Sequence, residues 1–180
     1  MRMLSSFVGV LLVGVSLIAG PAEAQQVTKE QVPGITNFAR VETTVACAGA
    51  IKPEAISELK QMGFKSVINL RLATEQGADA DAEAAAAKAA GVNYVHVPFS
   101  GAMADPSVAD TFLTAVTNPA NNPAFIHCAS GNRAAAMWMI KRVQIDRWAI
   151  DKASDEAAGL GLTNPQLKQF ALNYIESRKK

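Results

Sequence analysis

The sequence predicts an α/β protein of three layers, in which a mainly parallel central sheet of 4–5 strands carries helices on both faces. Short apolar segments alternate with helical patterns along most of the chain, which is typical of parallel βαβ units. The segments are apolar throughout, as strands are when both faces of the sheet are covered. Glycine and proline stand at the boundaries between segments, which indicates short elements.

The N-terminus is interpreted as a signal peptide covering residues 1–24. Arg2 supplies a positive charge, residues 7–19 are almost wholly apolar, and Ala22-Glu23-Ala24 has the small-x-small pattern of a cleavage site. The apolar stretch is short for a membrane span, although an uncleaved anchor is the alternative. We expect cleavage after Ala24, a periplasmic or secreted location and no membrane attachment after signal removal.

The remaining chain is expected to hold one domain. Residues 25–37 are polar with a Pro-Gly break and are predicted to form a flexible N-terminal arm, and residues 38–180 are predicted to form the domain. Within it, β-branched residues predict a strand over 40–48. Pro53 suits the first turn of a helix that Gly63 ends.

The rest of the chain continues the alternation. The predicted strands are 66–70, 92–97 and 123–127, and the predicted helices are 75–90, one starting after Asp105, 133–147, 149–158 and 165–177. Ligands of such sheets bind beyond the carboxyl ends of the strands. This rule indicates three places for a site, directly after Leu70, Val97 and His127.

Composition limits the classes of ligand. With 17 Lys and Arg against 16 Asp and Glu, the net charge of +1 gives no electrostatic reason to expect nucleic acid or an anionic membrane as partner. Two cysteines and two histidines are too few for a zinc site or a disulfide scaffold. We therefore predict no metal and no cofactor, and expect any anion site to be local.

The segment His127-Cys128-Ala129-Ser130-Gly131-Asn132-Arg133 is the candidate reactive loop. It follows a buried strand and opens a helix, so free backbone N–H groups converge on one point. A cysteine at that point, beside the guanidinium of Arg133, is expected to be a thiolate near neutral pH. The alternative is an inert buried cysteine, which would prefer apolar surroundings.

Beyond this loop, three segments occur in a characteristic order: GFKSVINLR at 63–71, GVNYVHVPFSG at 91–101 and PAFIHCASGNRA at 123–134. They resemble the phosphatase-like domain of beta-lactamase-hydrolase-like proteins, a bacterial branch of the cysteine-dependent (dual-specificity and tyrosine) protein phosphatases. The resemblance covers roughly residues 38–162, and the Cys-x4-Arg spacing is one residue shorter than the usual phosphatase loop. It implies a cysteine-phosphatase-like fold.

The resemblance also implies roles for residues. Cys128 is the expected nucleophile that takes up the phosphoryl group as a thiophosphate, and Arg133 is expected to grip the phosphate. The expected phosphate-binding residues are Ala129, Ser130, Gly131, Asn132 and Arg133. His127 either tunes the thiolate through hydrogen bonds or is a satisfied core group. The expected partner is a small-molecule or protein phosphate ester.

Two positions depart from the pattern of the related phosphatases. Those proteins often carry Ser or Thr after the arginine, where this chain has Ala134. They also use an aspartate on a separate loop to protonate the leaving oxygen. Asp105 is the nearest candidate here and Asp110 the next, but Asp105 before Pro106 also has the setting of a helix cap.

Two charged residues follow the second predicted parallel strand. Arg71 and Glu75 are expected either to rim the pocket and orient Arg133 or the substrate, or to form an ordinary surface ion pair. His96 lies within a strand and is expected to be structural.

Two other functions remain open at this stage. A rhodanese-like sulfurtransferase, which acts on a sulfur anion, would carry a persulfide on Cys128, and a short loop suits that chemistry too. The other alternative is a non-catalytic oxyanion-binding or redox protein, in which Cys47 and Cys128 form a disulfide if their Cα atoms come within about 7 Å.

Overall fold

The computed structural model describes residues 26–41, 43–101 and 105–179. The predicted signal peptide, residues 1–24, lies outside the described residues. In the described part, no helix is both long enough and apolar enough to cross a membrane.

The centre of the molecule is one sheet of six strands. The strands are β1 (Val27–Lys29), β2 (Ala39–Val41), β3 (Val45–Ala48), β4 (Ser66–Asn69), β5 (Asn93–His96) and β6 (Ala124–His127). Their spatial order is β1-β2-β3-β6-β4-β5. The pairs β3–β6, β6–β4 and β4–β5 are parallel, whereas β1 and β2 add an antiparallel edge.

Helices cover both faces of the sheet. They are α1 (Ile56–Gln61), α2 (Ala80–Ala90), α3 (Pro106–Thr117), α4 (Asn132–Gln144), α5 (Ile150–Gly159) and α6 (Pro165–Ser177). Ile56 of α1 and Ala87 of α2 share one hydrophobic cluster with Phe125 of β6. Residues of α3 to α6 share the other cluster with the next strand residue, Ile126. Because neighbouring strand residues face opposite ways, the two clusters lie on opposite faces of the sheet, which confirms the three-layer α/β fold.

The predicted number of strands was too low, because the antiparallel edge was not recognised. The single strand expected over 40–48 is a hairpin, in which β2 and β3 pair antiparallel across a turn at 43–44. A short hairpin turn with few glycines is difficult to recognise from the hydrophobic pattern of the sequence.

The segment 25–37, which the sequence predicts to be a flexible arm, contains a short strand in the structure. Val27–Lys29 is β1, which pairs with β2, and Ile35 is 9 % exposed. Val27 packs against the apolar cluster of α3 to α6. It also lies close to Gly159 of α5, because a Cβ added at Gly159 would meet the Val27 side chain at 3.1 Å. Backbone pairing and this contact order a segment whose composition is polar.

The helix expected over 75–90 begins only at Ala80. Asp79 caps it by accepting a hydrogen bond from the N–H of Ala82 at 2.9 Å. Residues 72–79 form turns instead. Glu75 therefore lies on the connection that follows the carboxyl end of β4. From there it can reach the loop that follows β6, the neighbouring strand in the sheet.

Candidate active site

The candidate reactive loop lies where the carboxyl ends of β3, β6 and β4 meet. β6 ends at His127, Cys128 follows it, and α4 begins at Asn132. Gly131, between them, has a φ of +99°, a left-handed backbone angle that glycine adopts without the strain of a side chain. The sequence placed the loop correctly because all its parts are contiguous.

The sulfur of Cys128 accepts a hydrogen bond from the backbone of its own loop. The N–H of Gly131 donates to Sγ at 3.1 Å, and Cys128 is 1 % exposed. Gly131 is also the N-cap residue of α4, and no side chain caps that helix. The first N–H groups of α4 therefore have no side-chain acceptor at their cap and favour a negative charge next to them.

The carboxyl end of β3 supports the loop from one side. Cys128 donates its N–H to Ala48 at 3.2 Å, and Ala50 donates its N–H to Ala129 at 3.0 Å. Between these bonds lies Gly49, where a Cβ would meet the carbonyl oxygens of Ala129 and Thr36 at 3.0 and 3.1 Å. The close approach of these backbone segments therefore requires glycine at this position, a structural role that the sequence did not indicate.

Two side chains tie the loop to neighbouring segments. Asn37 Nδ2 donates to the carbonyl of Ser130 at 3.1 Å. Asn132 Oδ1 accepts from the N–H groups of Thr163 and Asn164, each at 2.8 Å, which joins the loop to the connection between α5 and α6. Asn37 was not predicted, because nothing in its local sequence marks a contact made across 93 residues.

Arg133 is held in one orientation by a carboxylate and two carbonyls. Its Nη1 and Nη2 atoms donate to the two oxygens of Glu75 at 2.6 and 2.7 Å. Nη1 also donates to the carbonyls of Leu70 and Phe99 at 3.0 and 2.8 Å. A bidentate arginine–carboxylate pair fixes the plane of the guanidinium. Of the two alternatives for Glu75, the structure shows the one in which it orients Arg133.

Arg133 also lies within hydrogen-bond reach of the Cys128 side chain. In the described part of the chain, no carboxylate or carbonyl accepts from Nε of Arg133. Burial lowers the pKa of Arg133, but the hydrogen bond to Glu75 and the electrostatic interactions with Cys128 and Glu75 raise it, and the rise prevails. The guanidinium is thus a permanent cation close to the sulfur.

Arg71 supports the clamp rather than rimming a pocket. It is 3 % exposed and donates to the carbonyls of Gln76 and Gly77 at 2.6 and 3.0 Å, which holds the turn that carries Glu75. Its Nε lies 3.4 Å from Glu75 Oε2. Partial burial raises the pKa of Glu75, but the hydrogen bonds from Arg133, the Leu72 N–H and Arg71 outweigh it and hold that pKa below 4.5.

His127 is placed as a core group, and its ring does not contact the thiol. It stacks on Phe125, with ring centroids 5.9 Å apart, on the face opposite to Cys128. Its Nε2 donates to Glu83 Oε2 at 3.1 Å, while its Nδ1 is buried without a partner among the described residues. Direct hydrogen bonding of this ring to the thiolate is therefore absent from the structure.

Glu83 is the centre of a buried network that the sequence did not reveal. Its Oε2 also accepts from Asn69 Nδ2 at 2.8 Å and from Tyr94 OH at 3.0 Å. Burial is the largest of the effects that raise the pKa of Tyr94 above its usual value. The network joins α2 to β4, β5 and β6 directly beneath the candidate site, and three donors satisfy the buried carboxylate.

The aspartate candidates for a proton donor have other contacts. Asp105 caps α3 by accepting from the N–H of Ser107 at 2.8 Å, and this bond lowers its pKa. Asp110 accepts from Tyr174 OH and from Arg178, each at 2.6 Å, which joins α3 to α6. The structure thus agrees with the helix-cap interpretation of Asp105. Ala134 is fully buried in the first turn of α4.

The remaining candidates are structural. Cys47 and Cys128 are both free thiols, so the disulfide alternative is not formed. Burial first, and the charge of Cys128 second, raise the pKa of Cys47 well above its usual value. His96 Nε2 donates to the carbonyl of Arg71 at 2.8 Å, as its structural interpretation requires. No group of three or more metal-ligating side chains is found in the described ranges.

Residues 37–145 match the family of the beta-lactamase hydrolase-like protein, phosphatase-like domain. This chain belongs to that family. The match covers more than half of the chain and includes the whole reactive loop, so the family resemblance predicted from the sequence is confirmed.

Curated relatives and solved structures extend the comparison. The chain is 30 % identical over 106 residues to a beta-lactamase hydrolase-like protein of Agrobacterium fabrum, which covers 56 % of this chain and 24 % of that protein. It thus spans about a quarter of the relative's length. The crystal structure of a candidate phosphatase from Shewanella putrefaciens superposes with a TM-score of 0.67 at 20 % identity, covering 82 % of this chain and 93 % of that one.

A further solved structure is that of TpbA from P. aeruginosa, crystallised in complex with pTyr. It superposes with a TM-score of 0.63 at 16 % identity, covering 86 % of this chain and 91 % of that one. At this identity the likeness concerns the fold, which is that of cysteine-type phosphatases.

Proposed function

We propose that this protein is an exported cysteine-dependent phosphatase that hydrolyses phosphate monoesters through a thiophosphate on Cys128. The observation that carries the proposal is the position of Sγ, 3.1 Å from the N–H of Gly131 at an uncapped helix start and beside the clamped guanidinium of Arg133. Nucleophile and oxyanion cradle then coincide, as covalent phosphoryl transfer requires.

The proposed reaction has two steps. In the first, the thiolate attacks phosphorus, the bond to the leaving oxygen breaks and an S–P bond forms. Loop N–H groups and the guanidinium of Arg133 hold the phosphoryl oxygens in both steps. In the second, water attacks the thiophosphate, the S–P bond breaks and the thiolate returns as inorganic phosphate departs. The leaving oxygen takes a proton from solvent water in the first step, and the attacking water releases a proton to solvent in the second. Leaving groups that are already stable as anions need least help.

Hydrolysis of p-nitrophenyl phosphate by the protein from residue 25 onward tests the proposal. We expect nitrophenol release in wild type and in Cys47→Ala, which removes the other thiol, and its loss by at least about a thousandfold in Cys128→Ser. Mass spectrometry of rapidly quenched protein should find a phosphoryl group on Cys128. Nitrophenol release that survives in folded Cys128→Ser would disprove the assignment of the nucleophile.

The sulfurtransferase alternative is tested with the same preparation. Thiosulfate and cyanide are supplied instead of the phosphate ester, and thiocyanate is measured. Thiocyanate release that depends on Cys128, without nitrophenol release, would replace the phosphatase proposal by the sulfurtransferase one.

A further inference from the structure

A groove lies directly beside the reactive loop, between the N-terminal segment and the connection of α5 to α6. Its volume is about 340 Å³, within the range of small-molecule sites. Ser130 and Asn132, which flank the Gly131 N–H that binds Cys128 Sγ, form part of its lining. A molecule whose phosphate lay in the loop would therefore place its organic part at or near this groove.

The walls of the groove are held by the same contacts that hold the loop. Asn37 on one wall donates to Ser130, and Thr163 on the other donates its N–H to Asn132, at 3.1 and 2.8 Å. The groove and the phosphate cradle are thus one fixed unit. This favours a role in substrate binding over a gap between independent surface segments.

The groove presents polar rather than aromatic surface. Its exposed or half-exposed lining includes amide, hydroxyl and ammonium groups from Lys29, Gln31, Asn37, Ser130, Asn132 and Thr163. The aromatic residue of the lining, Phe38, is 2 % exposed, and its ring packs on Phe64 and Phe125. A flat aromatic leaving group would find no exposed aromatic ring to stack on here, whereas hydroxyl groups would find donors and acceptors.

The charge of the groove favours an anion at its outer end. Glu30 lies 3.9 Å from Arg40, so its carboxylate has a cationic neighbour. Lys29 is exposed at the end of β1, and no carboxylate pairs with it in the described part of the chain. Its ammonium group is therefore available for a ligand.

We propose that this groove is the leaving-group subsite of the phosphatase and selects a hydroxyl-rich phosphate ester with a second anionic group, which Lys29 binds. This inference rests on the proposed function and adds the substrate class to it. Lys29 acts as a specificity-determining residue, since it contacts the second anion and not the phosphoryl group that is transferred.

The test compares a hydroxyl-rich bisphosphate with a small aromatic ester. Fructose 1,6-bisphosphate and p-nitrophenyl phosphate are the probes, and the measured quantity is the ratio of their kcat/KM values. In Lys29→Met we expect this ratio to fall about five- to tenfold, the loss of one charge-assisted contact. Lys65→Met is the matched control, because Lys65 is also exposed but directly precedes β4, at the amino ends of the parallel strands and away from the reactive loop.

The control should leave the ratio unchanged. An unchanged ratio in Lys29→Met, an equal fall in Lys65→Met, or a higher kcat/KM for phosphotyrosine than for the bisphosphate in wild type would each overturn the subsite.

Calorimetric titration of Cys128→Ser with fructose 1,6-bisphosphate separates this inference from the proposed reaction. If wild type hydrolyses no ester, the reaction fails, yet binding that weakens about five- to tenfold in Cys128→Ser/Lys29→Met would still support the groove. If wild type hydrolyses p-nitrophenyl phosphate but the bisphosphate binds equally to both variants, the reaction stands and the groove proposal fails.

Discussion

Single residues in the reactive loop are constrained by backbone geometry more than by side-chain packing. Gly131 holds a φ of +99°, and its N–H is the group that reaches Cys128 Sγ at 3.1 Å. An added Cβ there would meet Ala48 only at 3.6 Å or beyond, so space is available. The constraint on this residue is therefore the left-handed backbone angle.

Gly131→Ala tests this constraint. We expect a loss of about 1–2 kcal/mol in the free energy of unfolding, from the strained angle. If the loop instead relaxes, its N–H turns away from Sγ and hydrolysis of p-nitrophenyl phosphate becomes slower. Denaturant unfolding and the rate of this hydrolysis are the measurements. Gly63→Ala, also at positive φ but away from the loop, is the control and should change stability alone. Wild-type values for both in Gly131→Ala would contradict the prediction.

Two substitutions of Asp105 distinguish a helix-capping role from a role as catalytic acid. Asn also caps helices well, whereas Ala does not. We expect Asp105→Asn to keep both stability and turnover, and Asp105→Ala to lower the thermal unfolding midpoint with turnover retained, because the observed contact is the N–H of Ser107. The assays are thermal unfolding and hydrolysis of p-nitrophenyl and phenyl phosphates. A large fall in Asp105→Asn with the poorer leaving group alone would instead identify Asp105 as the proton donor.

At the scale of elements, the site depends on connections between strands and helices. Glu75, on the turns after β4, receives Arg133 from the start of α4, and Glu83 of α2 receives His127 from the end of β6. Each contact joins two elements that are neighbours in space and distant in sequence. The loop is therefore held from beneath and from the side by carboxylates.

The clamp of Glu75 gives a pH-dependent contribution to stability. Because its pKa in the folded protein lies below 4.5, the contribution is fully present above that value and is lost as pH falls through the folded pKa. We expect Glu75→Gln to lower the free energy of unfolding by about 1–3 kcal/mol at pH 7 and by less at pH 3. It should also raise KM for p-nitrophenyl phosphate, since Arg133 loses its fixed orientation.

Denaturant unfolding at both pH values measures the difference. Glu58→Gln is the control, since Glu58 is an exposed carboxylate on α1, and its effect should be small at either pH. A Glu75→Gln difference that is the same at pH 3 and pH 7 would show that its ionisation does not contribute.

At the scale of the whole molecule, the antiparallel edge extends the sheet toward the site. β1 and β2 precede the parallel strands in the chain, and the segment between them reaches the loop through Asn37. The N-terminal part of the described chain thus lies beside the reactive loop. The predicted cleavage after Ala24 lies close before β1, so processing would leave this strand intact.

Export is tested on the whole protein. Expressed with its own N-terminus in a Gram-negative host, it should appear in the periplasmic fraction with a mass that corresponds to a chain starting at Gln25. Replacing Ala22 and Ala24 by larger residues should block processing. Full-length protein in the cytoplasmic fraction would disprove the signal-peptide prediction.

The sequence alone determined the parallel core, most of the helix boundaries and the position of the loop between β6 and α4. These features are local: Cys128 and Arg133 lie in one short segment, and Gly63, Gly91 and Pro106 mark boundaries by their own backbone preferences. Only the tertiary structure decided that His127 faces Glu83 and that Glu75 clamps Arg133. It also decided that residues 29–31 and 37–39 line the groove beside the loop. Such contacts join residues far apart in the chain, and their energy appears only once the sheet has brought the strand ends together.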